Sequence, residues 1–282
     1  MATISRTYHN IGLSQLILAA SFVVWLLFFP ETATKFAWPI APPLSAMFLG
    51  TSFILRAFQG YHMWRAQNWY RLRWIRWGTY GFLAVIFSGT FWHVHEMNWG
   101  TNIIVAHIWV LAYIAEPLIL PFIEPRDSAA NFPVPAEIKL GPILPGLQNT
   151  LIIIIFVSAT LGGLMFINPE FMDTRWSWSL APFDARIMAA FLVGVVLWAA
   201  KMKLSEDWIE IRMGIQGFAL YASVLFLVWG LAMFRGQIDL GRENVWTYGI
   251  GTAVMAGLLI YYYQKQESAA KKIQASKMTT SA

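Results

Sequence analysis

The 282-residue chain has no cysteine. That excludes disulfides, thiolate nucleophiles and cysteine-ligated metals. Charge is scarce: Asp, Glu, Lys and Arg make up 12% of residues, against roughly 25% in a soluble domain. There is no Gly-rich phosphate loop, no serine nucleophile elbow and no His-Glu-x-x-His stretch, which removes three common routes to phosphoryl, acyl and zinc chemistry. The N-x-Ser/Thr sequon is missing too. What fills the chain is apolar: 57% of residues are hydrophobic, including 15 Trp and 20 Phe.

A chain this apolar needs lipid as its solvent. Segments near 11–29, 42–62, 77–96, 102–123, 147–167, 182–202, 209–234 and 244–263 each approach the ~20 residues that cross ~30 Å of hydrocarbon as a helix. The first follows Arg6, as a signal peptide would. It ends, however, on a phrase that recurs mid-chain, so a structural helix is expected.

That phrase is "FFPETATKFAWPIAP" (28–42), echoed by "FINPEFMDTRWSWSLAP" (166–182). Both pair Pro-Glu with a closing Trp-x-x-Ala-Pro. Trp38 and Pro42 match Trp178 and Pro182; Trp69 and Arg73 match Trp208 and Arg212; Gly78 matches Gly217, and Asn102 is paired with Asn244. Self-similarity at a fixed offset signals a repeat. The expected fold is all-α and transmembrane, with eight helices as two tandem four-helix repeats. An even helix count per repeat gives both the same orientation, with a pseudo-two-fold axis along the membrane normal. The expected divisions are a first unit at 1–123, a Pro-rich cytoplasmic linker at 124–146, a second unit at 147–263 and a basic tail at 264–282. The tail is expected to extend the last helix briefly and then fray.

Lys and Arg are biased to one side. Arg6, Arg65, Arg71, Arg73, Arg76, Arg126, Lys139, Lys201, Lys203, Arg212, Lys265, Lys271, Lys272 and Lys277 face Lys35, Arg175, Arg186, Arg235 and Arg242. The positive-inside rule then puts both termini in the cytoplasm. Charges confined to loops give no reason to expect nucleic acid. Trp64, Trp69, Trp74 and Trp77 on one side, and Trp38, Trp92, Trp99 and Trp178 on the other, are expected as interfacial anchors. Gly81, Ser88, Gly89, Gly249, Gly251 and Gly257 are expected at close helix contacts.

The doubled Trp-rich phrase, "WHVHEMNW" ending helix three and "AHIWVLAY" in helix four resemble an uncharacterised family of bacterial eight-helix polytopic membrane proteins with a duplicated four-helix unit. The resemblance spans most of 12–263. It implies a bacterial inner membrane location and no catalytic residues. His95 stands where that family usually has an acid.

Ionisable residues within transmembrane segments mark candidate sites. Arg56 and Glu116 each lie 14 residues into their helices, about 21 Å from the same side at ~1.5 Å per residue. Their repeat counterparts, Val196 and about Leu258, are both apolar, as expected if each charge needs the other. Ser52 and Gln59 share a helix face with Arg56. The cluster reads first as a helix-locking ion pair, and second as a cavity for a polar head or a proton. The other candidate is a cofactor or metal site using His93 and His107, with Glu96 orienting His93. Its bland alternative is a set of interfacial polar groups. His62, whose counterpart is Met202, is expected too far away to join them.

The leading functional expectation is a non-enzymatic accessory or scaffold subunit of a larger membrane complex, or a holder of a lipophilic ligand. The rivals are a haem, pigment or metal protein using His93 and His107, and a small-molecule transporter.

Overall fold

The computed structural model describes residues 4–100, 102–123, 134–242 and 244–280. Every regular element among them is helical: α1 (Arg6–Phe28), α2 (Pro43–Arg65), α3 (Arg73–Trp92), α4 (Ile103–Ile123), α5 (Pro145–Ile167), the short α6 (Pro169–Arg175), α7 (Pro182–Lys203), α8 (Trp208–Phe234) and α9 (Val245–Thr280). Proline stands in the first turn of α2, α5, α6 and α7, where its missing N–H costs no helical bond. Ser5 caps α1 by accepting from the Tyr8 amide, and Asp207 caps α8 by accepting from Ile209.

Six helices, α1, α4, α5, α7, α8 and α9, are long and apolar enough to cross a membrane, and the chain is accordingly a membrane protein. The segments expected at 42–62 and 77–96 correspond to α2 and α3, which fall below that hydropathy. In α2 the reason is visible: Thr51, Ser52, Arg56 and Gln59 are all buried within the protein. Hydropathy counts these residues as exposed to lipid, and neighbouring helices shield them.

The most deeply buried span is α7, with 72% of its apolar window covered, against 22% for α1, α4 and α9. It packs on α3 and α5, while α2 packs on α1 and α8. Backbones approach closely where glycine allows. A Cβ on Gly60 would lie 2.6 Å from the Leu16 amide nitrogen, and one on Gly12 would lie 2.6 Å from Met63 Cβ. The α1–α2 crossing is thus a backbone-to-backbone contact of the kind small residues permit in membranes. Gly78 makes room for Trp198, whose Nε1 donates to the Ile75 carbonyl at 2.8 Å. Gly81 and Gly249 are also closely approached, by Leu197 and Trp229. Gly251 and Gly257 face open space instead, and Ser88 is exposed, so these three do not serve the close packing expected of them.

At one end of the bundle lie the two Pro-Glu phrases. The first forms a 3-10 turn over Pro30–Lys35, and the second forms α6, capped by Asn168. Asn102 donates to the Lys35 carbonyl at 2.7 Å, and Asn244 donates to the Arg175 carbonyl at 2.6 Å. Trp38 Nε1 reaches Asp184 Oδ1 in α7 at 2.7 Å, and Trp178 Nε1 reaches Ser45 Oγ in α2 at 3.0 Å. Trp38, Trp69, Trp74 and Trp178 are buried, and only Trp64, Trp77 and Trp92 of the expected belt are exposed. The indole N–H groups of Trp38 and Trp178 find side-chain acceptors inside the protein, which draws those rings inward from the interface.

At the other end, the described part of the expected linker is held as a strap; 124–133, with Arg126, lies outside the described residues. Asp207 accepts from the Leu140 and Gly141 amides at 2.9 and 3.0 Å, and the Trp208 amide donates to the Gly141 carbonyl at 2.9 Å. Gln266 bonds both the Leu144 amide and the Pro142 carbonyl. Lys277 reaches the Ala136 carbonyl at 2.6 Å. These bonds explain why the tail does not fray after 263: α9 continues as 36 residues, about 54 Å of helix, with its last turns fastened to the strap.

Candidate functional site

Arg56 is 4% exposed, and all four helices from α1 to α4 contribute to its surroundings. Its Nη2 forms an ion pair with Glu116 of α4. Its Nη1 donates to Gln59 Oε1 at 3.1 Å and to Thr79 Oγ1 of α3 at 3.4 Å. The guanidinium lies over the Phe82 ring, 4.8 Å from its centroid, a favourable place for a cation in a dry environment. From α1, Gln15 Nε2 donates to the same Glu116 oxygen. Gln15 Oε1 and Gln59 Nε2 are buried without a hydrogen-bond partner among the described residues.

Gln59 thus stands beside Arg56 as its helical spacing suggests. Ser52 does not: its hydroxyl bonds the Phe48 carbonyl at 3.0 Å and meets the Tyr221 hydroxyl of α8 at 3.3 Å. Gln15, Thr79 and Phe82 were not legible as partners. A single Gln in the middle of α1 and a Thr in α3 carry no spacing that links them to a distant charge.

His93 and His107 have different surroundings. His93, 5% exposed, ends α3. Its Nδ1 contacts Glu96 Oε1 at 2.6 Å, and its Nε2 faces Arg186 Nη1 of α7. A guanidinium has only donors, so Nε2 accepts and Nδ1–H donates to Glu96, which fixes the tautomer. The ring stacks on Phe183 at 4.8 Å, and Arg186 lies 4.7 Å over Trp92. Both ring nitrogens of His93 are thereby engaged, and the chain Glu96–His93–Arg186 ties α3 to α7. His107 is exposed on α4, with Nδ1 on the Ile103 carbonyl at 2.7 Å and Trp99 edge-on at 5.3 Å. His95 is exposed as well. Among the described residues no three His, Asp or Glu side chains gather as a metal site. His62 lies at the opposite end of α2, against Phe58 and Tyr61.

Arg186 was read as a loop charge, yet it is 8% exposed within α7, two residues after the fully buried Asp184. Its position four residues after Pro182 put it near a helix end, and the sequence offers no signal that α3 would present His93 to it. No family model, curated protein or solved structure matches this chain.

Proposed function

We propose that the chain is an eight-span inner-membrane protein of two tandem units of four spanning helices, α1–α4 and α5 with α7–α9, and that it acts as a non-enzymatic scaffold or accessory subunit or holds a lipophilic ligand. The reciprocal tryptophan contacts support the architecture. Trp38 reaches the start of α7, and Trp178 reaches the start of α2. In an isologous arrangement, if i touches j, then the equivalent of i touches the equivalent of j. The Asn102 and Asn244 bonds repeat one relation within each unit, and the packing of α3 on α7 and of α8 on α2 is reciprocal between the units. In this arrangement α2 and α3 are spans whose polar faces turn inward, and the Lys/Arg bias sets both termini in the cytoplasm.

One observation carries the functional reading: the membrane-interior charges are spent on the chain's own helices. Arg56 and Glu116 answer each other with Gln59, Thr79 and Gln15 around them. This favours a helix-locking role over a transport or redox role, which needs a charge or ligand-binding nitrogen kept free. The test is copurification in mild detergent, comparing wild type with Arg56→Leu/Glu116→Leu. A scaffold keeps its associated proteins or lipids in both. Loss of a bound cofactor or of substrate flux in a folded double variant would point to the site reading instead.

A further inference from the structure

At the end of the bundle that carries the strap, the turn between α2 and α3 borders an open cleft of about 300 Å³ lined by His62, Arg65, Ala66, Gln67, Asn68, Arg71 and Met213. At ~30 Å³ per water, it has room for about ten waters or for a phosphate with its ester carbons. No carboxylate lines it. Neither Arg65 nor Arg71 forms an ion pair with any described residue, and Arg71 Nε is buried without a hydrogen-bond partner. Two Arg, a His and two amide residues thus line space that no anion of the described chain fills, with the Arg65 guanidinium 5.5 Å over Trp64 and that of Arg71 5.9 Å over Tyr70. Guanidinium forks match phosphate oxygens.

We propose that this cleft binds a phosphate-bearing anion, either the headgroup of an anionic lipid or a soluble phosphate ester. The matching turn between α7 and α8 sharpens the contrast. There the chain reads Leu204, Ser205, Glu206 and Asp207, and Asp207 is occupied by the strap amides of Leu140 and Gly141. One turn is acidic and filled by the chain's own donors, while the other is basic and open. Basic pockets at the cytoplasmic ends of membrane helices suit anionic headgroups. Tyr61 and Trp64, exposed beside the cleft, supply the amphipathic rim found at headgroup depth. The cleft and its charges do not depend on the repeat.

The experiment uses full-length protein in mixed phosphatidylcholine and phosphatidylglycerol, with retained lipids counted by native mass spectrometry. Arg65→Gln/Arg71→Gln is compared with Lys271→Gln/Lys272→Gln, which removes equal charge from exposed tail positions. Wild type and the tail variant are expected to retain phosphatidylglycerol preferentially, and Arg65→Gln/Arg71→Gln to lower retention about tenfold or more. Displacement by inorganic phosphate assigns the site to a soluble ester, and retention in its presence assigns it to the lipid. Arg65 is exposed, so Arg65→Gln alone serves if the double variant fails to fold. Equal retention by wild type and the arginine variants, with no binding of inorganic phosphate, would overturn the assignment. So would an equal loss in the tail variant.

Discussion

Replacing Glu116 by leucine leaves the Arg56 guanidinium 4% exposed, with only Gln59, Thr79 and the Phe82 face as company. Those contacts are neutral acceptors and a quadrupole; none offsets a full charge. Stranding a buried partner in this way costs about 3–5 kcal/mol. Arg56→Leu should cost less, because a stranded carboxyl group can take up a proton, whereas a guanidinium cannot lose one. The double leucine variant removes both charges but leaves Gln15 and Gln59 without their partners; it should still lie within about 1–2 kcal/mol of wild type, given that apolar replacement of a buried pair is often neutral. The resulting double-mutant cycle should give a coupling energy of about 2 kcal/mol or more. Reversible unfolding in bicelles, or the midpoint of thermal loss of the monodisperse species in detergent, reads it. Costs that add, with coupling below about 0.5 kcal/mol, would refute the claim that the two charges hold each other in place.

Three other expectations follow from single contacts. Gly60→Ala gains up to about 1 kcal/mol of helix propensity but drives a Cβ to 2.6 Å from the Leu16 nitrogen; α1 and α2 must part, so thermal stability should fall. Trp38→Phe strips the indole donor from fully buried Asp184 and should cost about 1–3 kcal/mol, more than Trp178→Phe, which deprives a serine hydroxyl; equal effects would show that the buried carboxyl group does not depend on the indole. Asp207→Ala removes the acceptor of two strap amides and the α8 cap; limited proteolysis should then cut near 139–144 faster while the rest of the chain stays intact.

Much of the fold was legible because its signals are periodic or punctuated. Long apolar segments match the observed helices to within a few residues, and proline marks where α2, α5 and α7 begin. The extent of α9 was not legible. Its last turns persist through Gln266 and Lys277 bonds to a strap more than a hundred residues away in sequence, and tail composition alone does not encode that contact. The tryptophans misled for a similar reason. Trp is common at lipid interfaces, and nothing local to Trp38 reveals that Asp184 waits in α7. The proximity of Arg56 and Glu116 could be read because each stands alone in an apolar helix at like depth. Thr79 and Arg186, the one an ordinary helix residue and the other near a helix end, gave no such hint.

The absence of native cysteine makes the orientation of the two units directly measurable. Single cysteines at Glu31 and Glu170, in the two Pro-Glu phrases, and at Gln67 and Glu206, in the two opposite turns, all sit at exposed positions. Labelling intact cells with a membrane-impermeant maleimide should modify positions 31 and 170 alike and reach 67 and 206 only after permeabilisation. Labelling of 31 and 170 from opposite sides of the membrane would contradict two four-span units standing the same way up.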